Sequence, residues 1–175
     1  DKHNALDWDM LNALVEAAAE LRADRTVRGA VIHGEGGSFC SGLDFPQFTK
    51  QPTRLARAFA KLTGSSTNLF QEACWAFRNL PIPVAAVLHG RCYGGGLQLA
   101  LAADFRFAEP STELSILEAK WGLIPDMTGS VTLRELLPMD VAKRLTMTGE
   151  MFDAAAAKGY GLVTEVTDDP MGAAE

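Results

Sequence analysis

The sequence predicts an α/β fold in which strands pair largely in parallel. Short β-branched and apolar runs alternate along the chain with segments of helical periodicity, and glycine or proline residues separate most of them. This alternation of strands and helices is typical of a sheet covered by crossover helices. The chain has 175 residues, of which 47% are hydrophobic, which is enough for a single globular domain with a sizeable core.

The first 80 residues are predicted to contain a helix, a strand and a long helical segment. Apolar spacing from Asp7 to Arg22 predicts a helix, for which Asp7 is a suitable N-cap. A strand is expected from Val27 to His33, followed by a loop. Residues Thr53 to Leu80 are predicted to be mostly helical, with a break at Gly64-Ser65-Ser66. Pro81 and Pro83 end this segment, because proline cannot continue a helix.

The centre of the chain carries its most informative motif. Pro83 to Leu88 is predicted to be a buried strand, and three consecutive glycines, Gly94 to Gly96, then open a helix from Leu97 to Ala103. Glycines let a backbone N–H approach a ligand closely, and a helix N-terminus adds positive potential. A second glycine turn, Ser38 to Asp44, offers another donor. Two backbone donors that converge on one carbonyl oxygen suit chemistry on an activated acyl group.

The C-terminal part is predicted to consist of short elements around one loop. Pro138 separates two of its helices, and Met171 to Glu175 has the composition of the first turn of a helix. The predicted elements are strands at Asp104–Ala108, Glu113–Leu117 and Leu162–Val166, helices at Thr132–Leu137, Val141–Thr148 and Asp153–Lys158, and a loop at Trp121–Gly129.

Composition excludes several functional classes. The net charge of −6 argues against nucleic acid or an anionic membrane as the main partner. No apolar run approaches the roughly 20 residues that span a bilayer, and the start of the chain shows no signal-peptide pattern, so we expect a cytoplasmic location. Three scattered cysteines give neither a disulfide framework nor metal-ligand spacing, and no metal is expected.

Two nucleotide-binding motifs and one catalytic motif are not supported by the sequence. The run Gly34 to Phe39 has Phe39 where a dinucleotide-binding loop carries its third glycine, and the triple glycine has no following Lys-Ser or Lys-Thr pair for a P-loop. A serine hydrolase lacks support because the chain contains no Gly-x-Ser-x-Gly elbow.

Three polar residues are candidates for the chemistry. Glu118 lies among apolar neighbours, so it is either a salt-bridged structural residue or a carboxylate tuned for acid–base work. Asp126 follows Pro125 in a loop, where a helix cap or turn is the alternative reading. Gln98 lies one turn into the glycine-led helix; as a neutral amide, it can orient substrate or water but cannot transfer protons.

Together these motifs resemble the crotonase family of enoyl-CoA hydratases and isomerases. They follow the family's order and spacing along nearly the whole chain, and the set is specific although no single motif decides the matter. The matching segments are Lys2 to Leu6, Phe39 to Asp44, His89 to Gly96, Ala102 to Asp104, Glu118 to Pro125 and Ala154 to Val163.

The resemblance implies a single crotonase-like domain over residues 1–175, with a spiral core of repeated ββα units and flanking helices, and without the family's N-terminal strands and C-terminal helices. It implies a coenzyme A thioester as substrate, no separate cofactor, and assembly as a homotrimer or hexamer. The backbone N–H groups of Leu43 and Gly95 would form the oxyanion hole. The residues that would contact the substrate or its coenzyme are Lys2, Asn4, Ala5, Ser41, Gly42, Asp44, Phe45 and Gly94.

Gln98 is a departure from the family pattern. Typical hydratases carry a glutamate there, and its partner matches Glu118; together the two carboxylates hold the water and move its proton. Isomerases with one glutamate keep only the Glu118 position. Dienoyl isomerases have carboxylates at the positions of Glu118 and Asp126, and they also have an aspartate where this chain has Gln98. We therefore expect Glu118 and Asp126 to act as acid–base groups in double-bond isomerisation or atypical hydration, while Gln98 positions substrate or water. The alternative is a non-catalytic protein that binds acyl-CoA.

Overall fold

The computed structural model describes residues 2–61 and 64–175, whose strands form two sheets. The larger sheet is parallel and has the order β1-β2-β4-β7, and the smaller has the order β3-β5-β6. The strands are β1 (Ala30–His33), β2 (Val84–Leu88), β3 (Arg91–Tyr93), β4 (Phe105–Ala108), β5 (Glu113–Ser115), β6 (Phe152–Asp153) and β7 (Glu165–Val166).

Helices cover and connect these sheets. The first begins at the predicted N-cap, since the Asp7 side chain accepts from the backbone N–H groups of Asp9 and Met10. The helices are α1 (Trp8–Ala23), α2 (Phe45–Thr49), α3 (Pro52–Ala58), α4 (Leu69–Arg78), α5 (Gly95–Ala102), α6 (Gly129–Leu136), α7 (Met139–Thr148), α8 (Ala154–Tyr160) and α9 (Pro170–Ala174), with a 3₁₀ helix at Leu117–Trp121.

In the central part of the chain, a strand of the large sheet is followed by a strand of the small sheet, and this pair is the repeating unit of the fold. β2 lies in the large sheet, β3 in the small one, and α5 follows; β4 and β5 repeat the step before the 3₁₀ helix. After β1, a single parallel bridge from Cys40 to Cys92 places the chain beside β3 in the same way. Parallel pairing is confirmed everywhere between these strands except between β5 and β6, which are antiparallel.

Helix α5 is the central helix of the molecule and carries the predicted glycine motif. All eight of its residues are buried, and it packs against α4 on one side and α6 on the other. A helix that is apolar all round belongs inside a core rather than on a surface. The N-terminus of α5 is therefore held rigidly, and the backbone N–H groups of its first turn are fixed in direction.

Several predicted boundaries were wrong for identifiable reasons. Strand β1 begins at Ala30 rather than Val27, because its partner strand starts only after Pro83, which has no N–H for the ladder. Glu118 lies on the 3₁₀ helix rather than just after a strand reaching Leu117, since β5 ends at Ser115. The predicted long helix is divided into α3 and α4, and residues 62 and 63 near its predicted break lie outside the described residues. Within the described part of the chain, no helix is both long and apolar enough to span a bilayer.

Candidate active site

A cavity opens where the two glycine turns meet the 3₁₀ helix and the loop after it. It encloses about 560 Å³ of space, part of it open to solvent. The predicted oxyanion donors, the candidate acid–base groups and part of the predicted substrate contacts therefore line one space. The predicted residues that it brings together are Ser41, Gly42, Leu43, Phe45, Gly94, Gly95, Gln98, Glu118 and Asp126.

Gly95 offers a backbone donor at the floor of the cavity. It is the first residue of α5, so its N–H has no carbonyl partner within the helix and lies at the positive end of the helix dipole. Gly94, the N-cap, has φ 50° and ψ −120°, a conformation that side chains disfavour. A methyl group on Gly95 would lie 2.9 Å from the sulfur of Met127 and 3.1 Å from a methyl carbon of Leu6, so only glycine fits without a shift.

Leu43 offers the second donor from the opposite turn. The Leu6 N–H donates to the Gly42 carbonyl at 2.8 Å, and the Asp44 N–H donates to the Leu6 carbonyl at 2.9 Å. Because neighbouring N–H groups of an extended segment alternate in direction, the N–H of Leu43 points away from Leu6. A methyl group on Gly42 would lie 3.8 Å from the Gly95 nitrogen, so the two turns are in close contact. The oxyanion role of this pair of donors stays a prediction.

Glu118 is held by a hydrogen-bond chain that starts at α6. The Gly129 N–H donates to Oε1 of Gln98 at 2.9 Å, which fixes the orientation of the Gln98 amide. Nε2 of Gln98 therefore faces Glu118 and donates to its Oε1 at 2.6 Å. Glu118 is only 9% exposed, and among the described residues its Oε2 has no hydrogen-bond partner. That oxygen therefore has unused capacity to accept a hydrogen bond, although it is buried.

The carboxylate of Glu118 also lies against the glycine turn. A methyl group on Gly94 would come within 3.4 Å of Oε1 of Glu118, so this position leaves room for the carboxylate. The carboxylate is therefore next to the residue that precedes the Gly95 donor. A carboxylate that lies in space beside the neighbour of a predicted oxyanion donor suits removal of a proton from the carbon next to a bound carbonyl.

Burial raises the pKa of both candidate carboxylates. For Glu118, desolvation is the main cause, the hydrogen bond from Gln98 opposes it, and the negative charge of Asp126 adds to it. Desolvation likewise raises the pKa of the Asp126 carboxyl. A carboxylate with a raised pKa is a better proton acceptor and donor near neutral pH than an exposed one. The charge of Asp126 thus acts on Glu118, and both carboxylates line the same cavity.

The structure places four other predicted contacts outside the cavity lining. Lys2 forms an ion pair with Asp44, with Nζ 2.6 Å from Oδ2. The side-chain amide of Asn4 donates to the carbonyls of Ser38 at 2.8 Å and Glu35 at 2.9 Å, so it braces the loop before the glycine turn. Ala5 lies in the same N-terminal segment. Coenzyme binding by these four residues stays a prediction, and the contacts show a structural role for three of them.

Sequence reasoning missed the apolar wall of the cavity. The ring of Trp121 stacks on that of Phe45, with 5.1 Å between centroids. Leu123 and Ile124 stand on the loop beside it, and Met127 closes the floor. The signal was present, because these large apolar residues occupy a segment that was predicted to be a loop. Among the residues that the structure describes, no group of three or more His, Cys, Asp or Glu side chains is placed to hold a metal ion.

Comparison with known proteins agrees with this geometry. Residues 1–170 match the family model described as enoyl-CoA hydratase/isomerase. The chain belongs to this family. An enoyl-CoA hydratase from Polaromonas sp. JS666 has the same fold, with a TM-score of 0.86 and 30% identity over 99% of this chain and 66% of that one. The crotonase-like fold predicted from the motifs is thereby confirmed.

Two curated relatives belong to the same enoyl-CoA hydratase/isomerase family. Mitochondrial methylglutaconyl-CoA hydratase of Mus musculus is 33% identical over 166 residues, which cover 94% of this chain and 51% of the relative. (E)-benzylidenesuccinyl-CoA hydratase of Thauera aromatica is 32% identical over 166 residues, covering 94% and 62%. The chain therefore spans about half to three-fifths of the length of these relatives.

Proposed function

We propose that this protein moves a double bond within an unsaturated acyl-CoA thioester, with Glu118 as the principal base. The observation that carries the proposal is the hydrogen bond from Gln98 to Glu118. It shows that the partner of Glu118 inside the site is a neutral donor and not a second carboxylate. The other carboxylate of the cavity, Asp126, stands on the loop leading to α6.

The reaction follows from the positions of these groups. The thioester oxygen accepts hydrogen bonds from the N–H groups of Leu43 and Gly95, which stabilise negative charge on it. Oε2 of Glu118 takes a proton from the α-carbon of a 3-enoyl thioester. The electron pair of the broken C–H bond then forms a dienolate, whose negative charge lies on the thioester oxygen. Glu118 then returns the proton at the γ-carbon; where a protonated Asp126 donates instead, Glu118 afterwards passes its proton to Asp126, which restores both groups. The product is the 2-enoyl thioester, with no change in composition.

Ordinary hydration fits the site less well. A water molecule that adds to the β-carbon must be oriented and must lose a proton to a base. Gln98 cannot accept that proton, and its carbonyl oxygen already accepts one hydrogen bond, from the Gly129 N–H. Hydration would therefore depend on Glu118 and Asp126 without the usual second glutamate. We retain it as the second reaction to be assayed, because the curated relatives carry hydratase names.

The test is a panel of 2-enoyl-, 3-enoyl- and 3,5-dienoyl-CoA thioesters, with products separated by chromatography. We expect the wild type to convert 3-enoyl- or 3,5-dienoyl-CoA faster than it hydrates 2-enoyl-CoA. Asp126→Asn should slow the reaction, and Glu16→Gln, an exposed change on α1, is the matched control. Rapid hydration that survives Asp126→Asn would overturn the isomerase assignment. Tight thioester binding without turnover of any substrate would favour the non-catalytic alternative.

The proposal also includes assembly and location. We infer a homotrimer or hexamer, as the family pattern leads us to expect, and a location in the cytoplasm. Light scattering of the purified protein measures the first, and fractionation of the source cells measures the second. A monomer, or recovery in an organelle such as the mitochondrion named for the mouse relative, would contradict these two points.

A further inference from the structure

A second cavity continues from the first, past Asp126. It encloses about 710 Å³ of space, part of it open to solvent, between the short helices α2 and α3 and the loop before α6. Leu43, Phe45 and Asp126 line both cavities, whereas Glu118 lines only the first. A thioester whose carbonyl lies at the Leu43 and Gly95 donors and whose α-carbon faces Glu118 would therefore direct the rest of its acyl group into this second space.

Aromatic rings form much of the wall of the second cavity. Phe70 lies at the centre of a ring cluster, with 5.5 Å between its centroid and that of Phe48 and 5.1 Å to that of Phe59. Leu55 of α3 adds an aliphatic surface beside them. Phe59 is 52% exposed although it is a large apolar residue, so its ring is available to a ligand at the rim.

The charge on the described lining of the second cavity is negative. Among its described lining residues, Asp126 is the only ionisable side chain, and Thr49 is the other polar one. The neighbouring Arg54 guanidinium is directed over the ring of Trp8, 4.5 Å from its centroid. A carboxylate at the end of an acyl group would thus lose water, meet apolar rings without a cationic partner and face the negative charge of Asp126.

We propose that the second cavity is the acyl-binding part of the site and that it selects an uncharged, bulky apolar acyl group over one that ends in a carboxylate. The inference rests on the proposed function, because it assumes that a CoA thioester occupies the first cavity. An aryl group suits the cavity particularly well, since aromatic rings pair favourably edge to face or offset with the phenylalanine rings of its wall.

Binding of saturated, unreactive thioesters tests the proposal without requiring turnover. Hexanoyl-CoA and adipoyl-CoA have six-carbon acyl chains that differ at their ends, and 4-phenylbutanoyl-CoA adds an aryl ring. By calorimetry we expect hexanoyl-CoA to bind at least about tenfold more tightly than adipoyl-CoA, and 4-phenylbutanoyl-CoA to bind at least as tightly as hexanoyl-CoA. Phe59→Ala should weaken binding of the aryl thioester about 3- to 10-fold.

A charge-introducing variant sharpens the test. Thr49 is exposed, so Thr49→Arg places a cation at the cavity wall and should bring the affinities of adipoyl-CoA and hexanoyl-CoA closer together. Met147→Ala, at a residue 78% exposed on α7, is the control and should change none of these affinities. Equal binding of hexanoyl-CoA and adipoyl-CoA by the wild type would overturn this inference while leaving the CoA-thioester function intact. Failure to bind all three thioesters would overturn both.

Discussion

Replacing Glu118 with glutamine should separate the activity of the site from the stability of the fold. The amide is nearly isosteric, and its oxygen can still accept the hydrogen bond from Gln98. Removing the proposed base, whose carboxylate lies against Gly94, should lower kcat/KM for isomerisation by about 10²- to 10⁴-fold. The same change removes a buried carboxylate whose Oε2 has no partner among the described residues. We therefore expect the inactive variant to gain stability relative to the wild type as the pH rises.

The sign of this effect follows from proton linkage. Burial raises the pKa of folded Glu118 above its ordinary value of 4.5, so between these two values the folded state holds a proton that the unfolded state has released. Wild-type stability therefore falls as the pH rises through that window, with a contribution from this group of at most about 1.4 kcal/mol per pH unit. Glu118→Gln lacks this contribution, so the difference in unfolding free energy, variant minus wild type, should increase with pH and then level off.

Urea denaturation followed by circular dichroism between pH 4 and pH 8 measures this difference. The other titrating groups are shared by the two proteins and largely cancel, and Glu16→Gln, which removes an exposed carboxylate of α1, is the control. A difference curve that falls as the pH rises would mean that the folded state favours the charged form of Glu118, and a flat curve would mean that folding does not shift its pKa. Either result would refute the argument. Retained activity in the variant would refute its role as the base.

Two further predictions concern the support of the site. Gln98→Met removes the hydrogen-bond donor to Glu118 and should raise the pKa of that carboxyl further. The acidic limb of the pH profile of kcat/KM should therefore move to higher pH. An unchanged acidic limb would contradict the role of this hydrogen bond. Gly96→Ala places a methyl carbon 2.6 Å from Cβ of the buried Cys40 and should destabilise the fold by about 1–3 kcal/mol, whereas Gly37→Ala, with open space around it, should leave the melting temperature nearly unchanged.

Periodicity and end signals were sufficient for the larger elements. The helix after Asp7 and the buried strand after Pro83 appear where the sequence predicts them, because each combines a clear apolar pattern with a chemical boundary. Short strands were missed for the opposite reason. β3 has three residues and β6 has two, which is too few for an alternating pattern to be distinguished from a turn. Their pairing depends on partners that are distant in the sequence.

The sequence predicted which residues line the site but not the contacts between them. Motif order brought Leu43, Gly95, Glu118 and Asp126 together, and the structure places all four around one cavity. The sequence could not show which way the Gln98 amide faces, because that depends on a backbone N–H 31 residues further along the chain. The aromatic second cavity was equally hidden, since its rings come from helices whose packing no local pattern specifies.

The Gln98 position bears directly on the type of reaction. Gly95 and Gln98 lie three residues apart on α5, so they share one face of the helix. The proposed oxyanion donor and the partner of Glu118 therefore belong to the same rigid element. A carboxylate at position 98 would accept from the Gly129 N–H as Gln98 does, but it would have no proton to donate to an ionised Glu118 and would repel it. With the amide, Glu118 is held as a single base with one free oxygen, and the second carboxylate of the cavity is Asp126, at the entrance to the acyl pocket. A proton can then be taken near the thioester and returned further along the chain, which is the requirement of double-bond isomerisation.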